Sequence, residues 1–185
     1  MKRLVYIVLF ITVSFSSLIG AQDWNTVKNT DFGYRVDFPA YAEKASTDIP
    51  TAKGNVVMHT YTCTATSSDS NLMYMSSFTQ YPLSFFPEGL DSPEVQNTLL
   101  ENSINGAVTN VKGTLLSKES IVFNGYPGRF YKIEVDQGDL YVLSMWSILV
   151  DYKLYMIQTI ALKDKSDNTN AKRFRDSFEL IKVKN

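Results

Sequence analysis

Apolar residues are densest between Thr114 and Leu162, and their alternation there predicts four consecutive strands joined by short turns. The last two of these strands, Leu140–Val150 and Lys153–Leu162, carry apolar side chains at both parities of the alternation. A strand that buries both of its faces must belong to a sheet that is covered on each side. We place the first turn of this block at residues 124–128, because Asn, Gly and Pro supply the backbone angles of a tight reversal.

Weaker strand patterns precede this block. Residues 34–38 alternate cleanly between apolar and polar side chains, and residues 55–65 and 72–81 flank a polar turn in a pattern typical of a hairpin. The intervening residues 40–54 contain a proline and a glycine and show no alternation. We therefore expect residues 40–54 to be irregular.

Two helices are predicted. The Ser, Pro and Glu at residues 92–94 are typical of a helix N-terminus, since Ser favours the N-cap position, Pro fits the first turn and Glu offsets the helix dipole. Apolar residues near helical spacing extend this helix to about Asn110. Residues 170–178 predict the second helix, with Phe174 and Phe178 one turn apart on the same side.

The order of these elements indicates the fold class. Hairpin-linked strands, a helix, more strands and a final helix are typical of an α+β fold with a mostly antiparallel sheet. Helices on both faces would explain the two-sided apolarity of the last strands, so we expect an α/β/α sandwich. No internal repeat or low-complexity linker divides the chain, and we expect one domain at residues 22–185.

Residues 1–21 have the features of a secretory signal peptide. A basic start precedes a mostly apolar stretch from Leu4 to Leu18, and small residues lead to a predicted cleavage site after Ala21. The apolar stretch is short for a membrane span. We therefore expect a mature chain that is exported to the periplasm or the exterior and has no integral membrane segment.

Charge and cysteine content exclude some classes of function. The chain carries 18 basic and 19 acidic residues, and neither kind is clustered. Nucleic-acid binding needs a concentrated basic surface, so that class of partner is disfavoured. Cys63 is the single cysteine, so the chain cannot form an internal disulfide.

Three motifs resemble a known family. Residues 34–39 read YRVDFP, residues 121–130 read IVFNGYPGRF, and residues 174–180 read FRDSFEL. Together they resemble PsbP-like domains, the α/β/α sandwich shared by the photosystem II protein PsbP and a Ran-binding nuclear import factor. The resemblance implies a curved antiparallel sheet between helices and a non-catalytic role in binding or stabilising other proteins. It implies no shared set of functional residues.

Catalytic and metal-binding motifs are sparse. His59 is the only histidine, and Cys63 lies four residues along the same predicted strand, about 13 Å away, which is too far for a contact between nucleophile and base. One histidine and one distant cysteine make a poor zinc site, and Asp136 and Asp139 around a glycine supply too few ligands for calcium. Cofactor-binding and hydrolase motifs are absent from the sequence. We expect no metal, no cofactor and no enzymatic activity.

Arg129 and Tyr126 are candidate binding residues in the hairpin at residues 121–130. Arg129 fits two roles: a clamp for an anion, or one half of a cross-strand salt bridge with an acidic residue such as Glu119. The salt bridge is the more ordinary role, because such pairs are common in sheets.

Phe85 and Phe86 are the other candidate binding residues. They lie in a predicted loop, residues 81–90, that is unusually apolar and contains two prolines. Such aromatic residues either present a patch to a partner or tuck beneath the helix that begins near Ser92.

The favoured interpretation is a non-catalytic exported domain that binds a protein of the cell envelope as an accessory module. Two alternatives stay open. A carrier of an apolar ligand or lipid would need an enclosed cavity between sheet and helix. A hydrolase using carboxylates such as Asp37, Glu134 or Asp151 would need two carboxyl groups that converge in a cleft.

Overall fold

The computed structural model describes residues 24–181, and the predicted leader lies outside the described residues. The described chain contains strands and helices with the bounds β1 Asn25–Asn29, β2 Tyr34–Phe38, β3 Glu43–Thr51, β4 Gly54–Thr64, β5 Asn71–Gln80, α1 Pro93–Val111, β6 Thr114–Phe123, β7 Tyr126–Asp136, β8 Leu140–Val150, β9 Lys153–Leu162, α2 Thr169–Asp176 and β10 Glu179–Leu180. The block of four strands, β6 to β9, and both predicted helices are confirmed.

The strands form two sheets. A seven-stranded main sheet has the order β3-β4-β5-β9-β8-β7-β6, and a small sheet has the order β1-β2-β10. Neighbouring strands pair in antiparallel fashion in both sheets. Strands account for 53% of the described residues, and helices for 21% when the short 3₁₀ helices Leu83–Phe85 and Lys163–Lys165 are included.

The predicted fold class, an α/β/α sandwich whose two outer layers are made of helices, is therefore wrong. The fold is β-rich, and the small sheet supplies much of the cover that the sequence assigned to helices. Apolar residues at both parities correctly indicated that both faces of β8 and β9 are buried, but this pattern does not distinguish a covering helix from a covering sheet.

One face of the main sheet packs against α1. The helix buries Leu99, Leu100 and Ile104 toward β7 and β8, where Ile133 and Leu149 are among their neighbours. Burial of several large aliphatic side chains stabilises this contact by about 1.5–3 kcal/mol for each one. We refer to this side of the main sheet as the α1 face.

The opposite face packs against the small sheet and α2. Its core is largely aromatic and consists of Tyr34, Val36 and Phe38 from β2, Phe174 and Phe178 from the C-terminal region, and Tyr74, Phe78, Ile148, Tyr155 and Ile157 from the main sheet. The alternation at residues 34–38 thus arises because one side of β2 is fully buried on this core. Phe174 and Phe178 both belong to this core, but α2 ends at Asp176, so Phe178 lies beyond the helix and not on its side as predicted.

The first hairpin of the four-strand block turns earlier than predicted. Asn124 and Gly125 have φ values of 50° and 87°, the left-handed conformations of a two-residue hairpin turn. Tyr126 already begins β7, so Pro127 and Gly128 lie within the strand and not in the turn. The prediction counted every turn-forming residue type as part of the turn.

The prediction that residues 40–54 are irregular is wrong, because they contain β3. This strand pairs with β4 from Glu43 and Thr62 to Thr51 and Gly54. It lies at the edge of the main sheet, and eight of its nine residues are exposed. Alternation appears only where one side of a strand is buried, so β3 has backbone pairing without a pattern in its side chains.

Candidate functional site

Arg129 is buried beneath α1. Its side chain is 9% exposed, and the guanidinium donates to the backbone oxygen of Gly128, to Oδ1 of Asn97 at 2.8 Å and to Oε1 of Glu101 at 3.3 Å. The strand register pairs Arg129 with Ser120 and not with Glu119. The predicted cross-strand salt bridge is wrong in its partner, because the acidic residue comes from the helix that lies over this face.

The ion pair with Glu101 leaves Arg129 little capacity to bind an external anion. Hydrogen bonds from Lys118 and from Arg129 lower the pKa of Glu101, so its carboxylate stays ionised between the two cations. All three guanidinium nitrogens of Arg129 already donate to partners in the protein. The arrangement holds α1 against β6 and β7.

Tyr126 lies on the other side of the main sheet. Its ring is half-buried against the aromatic core and borders a shallow depression of about 260 Å³ that is also lined by Val150, Tyr155 and Leu180. The structure therefore separates Tyr126 from Arg129, although they are three residues apart in one strand, because successive side chains point to opposite faces.

Phe85 and Phe86 are half-buried in the loop that leads to α1. The Phe86 ring packs on the apolar cluster around the start of α1, and the Lys53 ammonium lies 4.5 Å from its centroid. The Phe85 ring lies against the backbone of Gly54. The most exposed apolar side chain of this loop is Leu83, at 68%. The four predicted binding residues are thus not brought together into one site.

His59 and Cys63 have structural surroundings. The His59 ring stacks on Phe32 with centroids 4.5 Å apart, and its Nδ1 is hydrogen-bonded to Oγ of Ser46 at 2.8 Å. Cys63 is 1% exposed, and burial raises the pKa of its thiol. A buried, protonated thiol is a poor nucleophile.

The carboxylates considered for hydrolysis do not converge. Glu134 pairs with Val142 on β8, whereas Asp151 follows Val150 at the opposite end of that strand, about 26 Å away. Asp37 belongs to the small sheet. The separation needed for a pair of hydrolytic carboxyl groups is much shorter.

A concave site that sequence analysis missed lies beside α2. This α2 groove has a volume of about 360 Å³ and lies between α2 and the face of the main sheet opposite the α1 face. Its floor is formed by Phe130, Ser144, Trp146, Ile157 and Thr159, and its wall by Asp167, Asn168, Ala171, Lys172 and Arg175.

Two aromatic rings dominate the floor of the α2 groove. Phe130 and Trp146 are cross-strand partners on β7 and β8, with centroids 6.1 Å apart in an edge-to-face arrangement. Both rings are half-buried, so each keeps a surface that a ligand can cover. The Arg175 guanidinium lies 4.3 Å from the centroid of Trp146 and extends this stack to the wall.

The wall of the α2 groove has an unbalanced charge. Asp167 is already bound to the Lys132 ammonium at 2.7 Å. Within residues 24–181, the Lys172 ammonium has no carboxylate within ion-pair distance, and the one carboxylate bound to Arg175 is that of the adjacent Asp176. The groove therefore presents cationic donors next to aromatic rings.

Side-chain amides fix the position of α2. Asn168 caps the helix by accepting from the backbone N–H of Ala171, and it exchanges two hydrogen bonds of 2.9 Å with Asn71 on β5. Asn170 donates to Asp69, which also accepts from the buried Tyr74 hydroxyl. This network ties the wall of the groove to the β4–β5 hairpin, so the groove is preformed.

Residues 24–181 contain neither a cluster of the usual metal ligands nor a membrane-spanning helix. No three side chains of His, Cys, Asp or Glu in this part of the chain are grouped to hold a metal ion. In the same range, no helix combines the length and the apolar character that a membrane span requires.

One comparison with a solved structure supports the fold. The solution structure of cyanobacterial PsbP (CyanoP) from Synechocystis sp. PCC 6803 superposes with a TM-score of 0.53 and 11% identity, covering 88% of this chain and 95% of that one. The crystal structure of a protein of unknown function from Pseudomonas aeruginosa covers 68% of this chain and 86% of that one, with 10% identity and a TM-score of 0.38. The first likeness supports the expected PsbP-like fold. No family model and no curated protein matches the sequence.

Proposed function

We propose that this chain is a non-catalytic, exported accessory domain of the cell envelope that binds an extended, acidic and aromatic segment of a partner protein in the α2 groove. The observation that carries the proposal is the pair of half-buried rings, Phe130 and Trp146, beside the cationic side chains of Lys172 and Arg175. Export rests on the predicted leader at residues 1–21.

The chemistry of the groove favours such a segment. Aromatic floors bind aromatic or aliphatic side chains by stacking and burial, and residues of this kind dominate the energetics of protein interfaces. A carboxylate on the same segment would pair with Lys172 and with the free N–H groups of Arg175. Charge complementarity therefore selects an acidic partner over a basic one.

The shape of the groove favours a protein segment over a lipid. A volume of about 360 Å³ accommodates a few side chains, and the exposed Asp167 and Lys172 at its rim leave it open to solvent. A lipid carrier would instead enclose its ligand in an apolar cavity. A short extended segment can lie along the open side while two or three of its side chains enter the groove.

A non-catalytic role agrees with the state of the reactive groups. Cys63 is buried and protonated, Glu101 and Arg129 neutralise each other beneath α1, and the carboxylates considered for hydrolysis lie apart. The resemblance to PsbP-like domains likewise implies a role in binding or stabilising other proteins.

Site-specific cross-linking tests the proposal. A photoreactive residue at position 172, in the full-length chain expressed in its native cells, should form one discrete adduct with an envelope protein. The same residue at position 41 should not, because Tyr41 is 80% exposed and lies outside the groove. The captured protein, once identified and purified, should bind the wild-type domain in a calorimetric titration.

Variants then assign that binding to the groove. Lys172→Glu and Phe130→Ser should each weaken the affinity at least about tenfold, whereas the matched charge reversal Lys28→Glu on β1 should leave it unchanged. Binding that ignores both groove variants, or turnover of a substrate by the purified domain, would contradict the proposal.

A further inference from the structure

All five methionines within residues 24–181 lie on the α1 face of the main sheet. They are Met58 on β4, Met73 and Met75 on β5, Met145 on β8, and Met156 on β9. Met145 and Met156 pack on the cluster beneath α1, which fixes the face for their strands. Residues directly paired across an antiparallel ladder share a face, and the register carries this assignment to β5 and β4.

Three of these methionines surround one glutamine. Gln158 pairs with Met75 on one side and with Met145 on the other, so these two methionines are about 10 Å apart across two strand spacings. Met156 is two residues from Gln158 on the same strand, so it is the diagonal neighbour of both, at about 7–8 Å. The three Cα positions thus form a triangle with one side of about 10 Å and two sides of about 7–8 Å.

The side chains can bring their sulfurs together over this triangle. Methionine is unbranched and has three rotatable bonds, so its sulfur can move toward a common centre. The sulfur of Met156 accepts a hydrogen bond from the Tyr131 hydroxyl at 3.6 Å, and that hydroxyl also contacts Ser147, the residue paired with Met156. Binding of an ion would therefore require this sulfur to leave the hydroxyl. Gln158 is 7% exposed, and its amide makes no hydrogen bond within residues 24–181, so its oxygen is available beside the same centre.

Access to the triangle comes from the β5 side. α1 packs over β7 and β8 and buries Met145, whereas Met75 and Met156 remain half-buried. Thioether sulfur is a soft, neutral ligand that selects Cu(I) and the chemically similar Ag(I) over zinc or calcium.

We propose that Met75, Met145 and Met156 form a binding site for one soft monovalent metal ion, Cu(I) or Ag(I). The expectation that the chain binds no metal considered oxygen, nitrogen and thiolate ligands only, and a thioether site is a different chemistry. The site is on the opposite face of the main sheet from the α2 groove. Absence of metal binding at the methionines and absence of partner binding in the α2 groove are therefore separate results.

Metal titration of the full chain tests the site. Ag(I) titrated calorimetrically, and Cu(I) titrated anaerobically against bicinchoninate, should each show one equivalent of binding. Met75→Leu and Met156→Leu should each weaken the affinity at least about tenfold, because they remove a ligand. Leucine nearly conserves the volume of methionine, so both variants should remain folded in circular dichroism and thermal melts.

Two controls separate this site from other sulfur ligands. Met58→Leu alters the same face outside the triangle and should leave the affinity unchanged. Cys63→Ala should also retain the single equivalent, because Cys63 points into the core on the opposite face. The proposal is overturned if no stoichiometric binding occurs, if the Met75 and Met156 variants bind as the wild type does, or if removal of Cys63 abolishes binding.

Discussion

The guanidinium carbon of Arg175 lies 4.3 Å from the centroid of the Trp146 ring, and Arg173 lies 4.4 Å from the centroid of Trp24. α2 thus places a cation over each of the two tryptophans of the chain, one on the main sheet and one beside the small sheet. Because the two arginines are two residues apart on α2, they project to different sides of the helix and join it to both sheets.

Removal of the Arg175 side chain should expose Trp146. In a Trp24→Phe background, Arg175→Ala should shift the fluorescence of Trp146 toward that of a hydrated indole and lower the free energy of unfolding by about 0.5–1 kcal/mol. The ion pair of Arg175 with the adjacent Asp176 is exposed and adds little to this loss. Arg173→Ala in the same background is the control and should leave the wavelength of the Trp146 fluorescence unchanged.

The strands of the core could be predicted from the sequence, whereas the edge strand β3 could not. Alternation at residues 34–38 and apolarity at both parities of β8 reflect burial, which acts directly on side-chain choice. β3 is held by backbone hydrogen bonds to β4 and exposes nearly all of its side chains. Its residues therefore carry no periodic pattern.

The candidate site was less predictable because it joins residues that are distant in sequence. Phe130 and Trp146 come together through strand register, and Arg175 reaches them only after α2 returns to the main sheet. The same limit explains the wrong partner for Arg129: a cross-strand residue can be guessed from spacing, but the position of Glu101 depends on where α1 packs.

Loss of the Glu101 carboxylate should destabilise the protein more than loss of the Glu119 carboxylate. Glu101→Gln leaves the buried Arg129 guanidinium without its counter-ion, and since Glu101 is about one-third exposed we expect a cost of roughly 1–2 kcal/mol at neutral pH. Glu119→Gln should cost under about 0.5 kcal/mol. Urea unfolding measures both. Equal effects of the two substitutions would contradict the observed register and helix contact.

The effect of Glu101→Gln should depend on pH. The pKa of Glu101 is lowered in the folded state by Lys118 and Arg129, so the carboxylate contributes stability above its unfolded pKa of about 4.5. That contribution is lost as the pH falls through the lower folded pKa. The difference in unfolding free energy between wild type and variant should therefore shrink on acidification below about pH 4.5. A difference that is constant down to the acid unfolding transition would exclude this linkage.

Alanine at three glycines should give three different outcomes. At Gly128 a Cβ atom would lie 2.4 Å from the backbone oxygen of Ser147, so Gly128→Ala should disrupt the β7–β8 pairing and cost at least about 2–3 kcal/mol. Gly125→Ala introduces strain at φ 87° and should cost about 1 kcal/mol. Gly106→Ala in α1 meets no atom within 4 Å and should stabilise by about 0.5–1 kcal/mol. If thermal melts gave the larger loss at Gly125, Gly128 would not lie in the strand.

Tyr34 and Tyr155 should make the fold sensitive to alkali. Their rings are 5.7 Å apart in the aromatic core, and burial raises the pKa of each to about 12. Because each folded pKa lies above the unfolded value of about 10, each neutral hydroxyl contributes stability that is present below pH 10 and is lost as the pH rises toward 12. A shift of this size corresponds to roughly 3 kcal/mol for each tyrosine.

Tyr155→Phe should separate this linkage from simple packing. The substitution removes the hydrogen bond from the Tyr155 hydroxyl to the backbone oxygen of Phe32 and should cost about 1 kcal/mol at neutral pH. It also removes one group that must stay protonated, so the alkaline loss of stability between about pH 10 and 12 should become smaller. The loss should not disappear, because burial also raises the pKa of Tyr34, Tyr74 and Tyr131, which remain in the variant. Tyr41→Phe, at an 80% exposed position, should alter neither value. Urea unfolding at neutral pH and across the alkaline range measures both effects, and an unchanged alkaline transition in Tyr155→Phe would show that another group controls it.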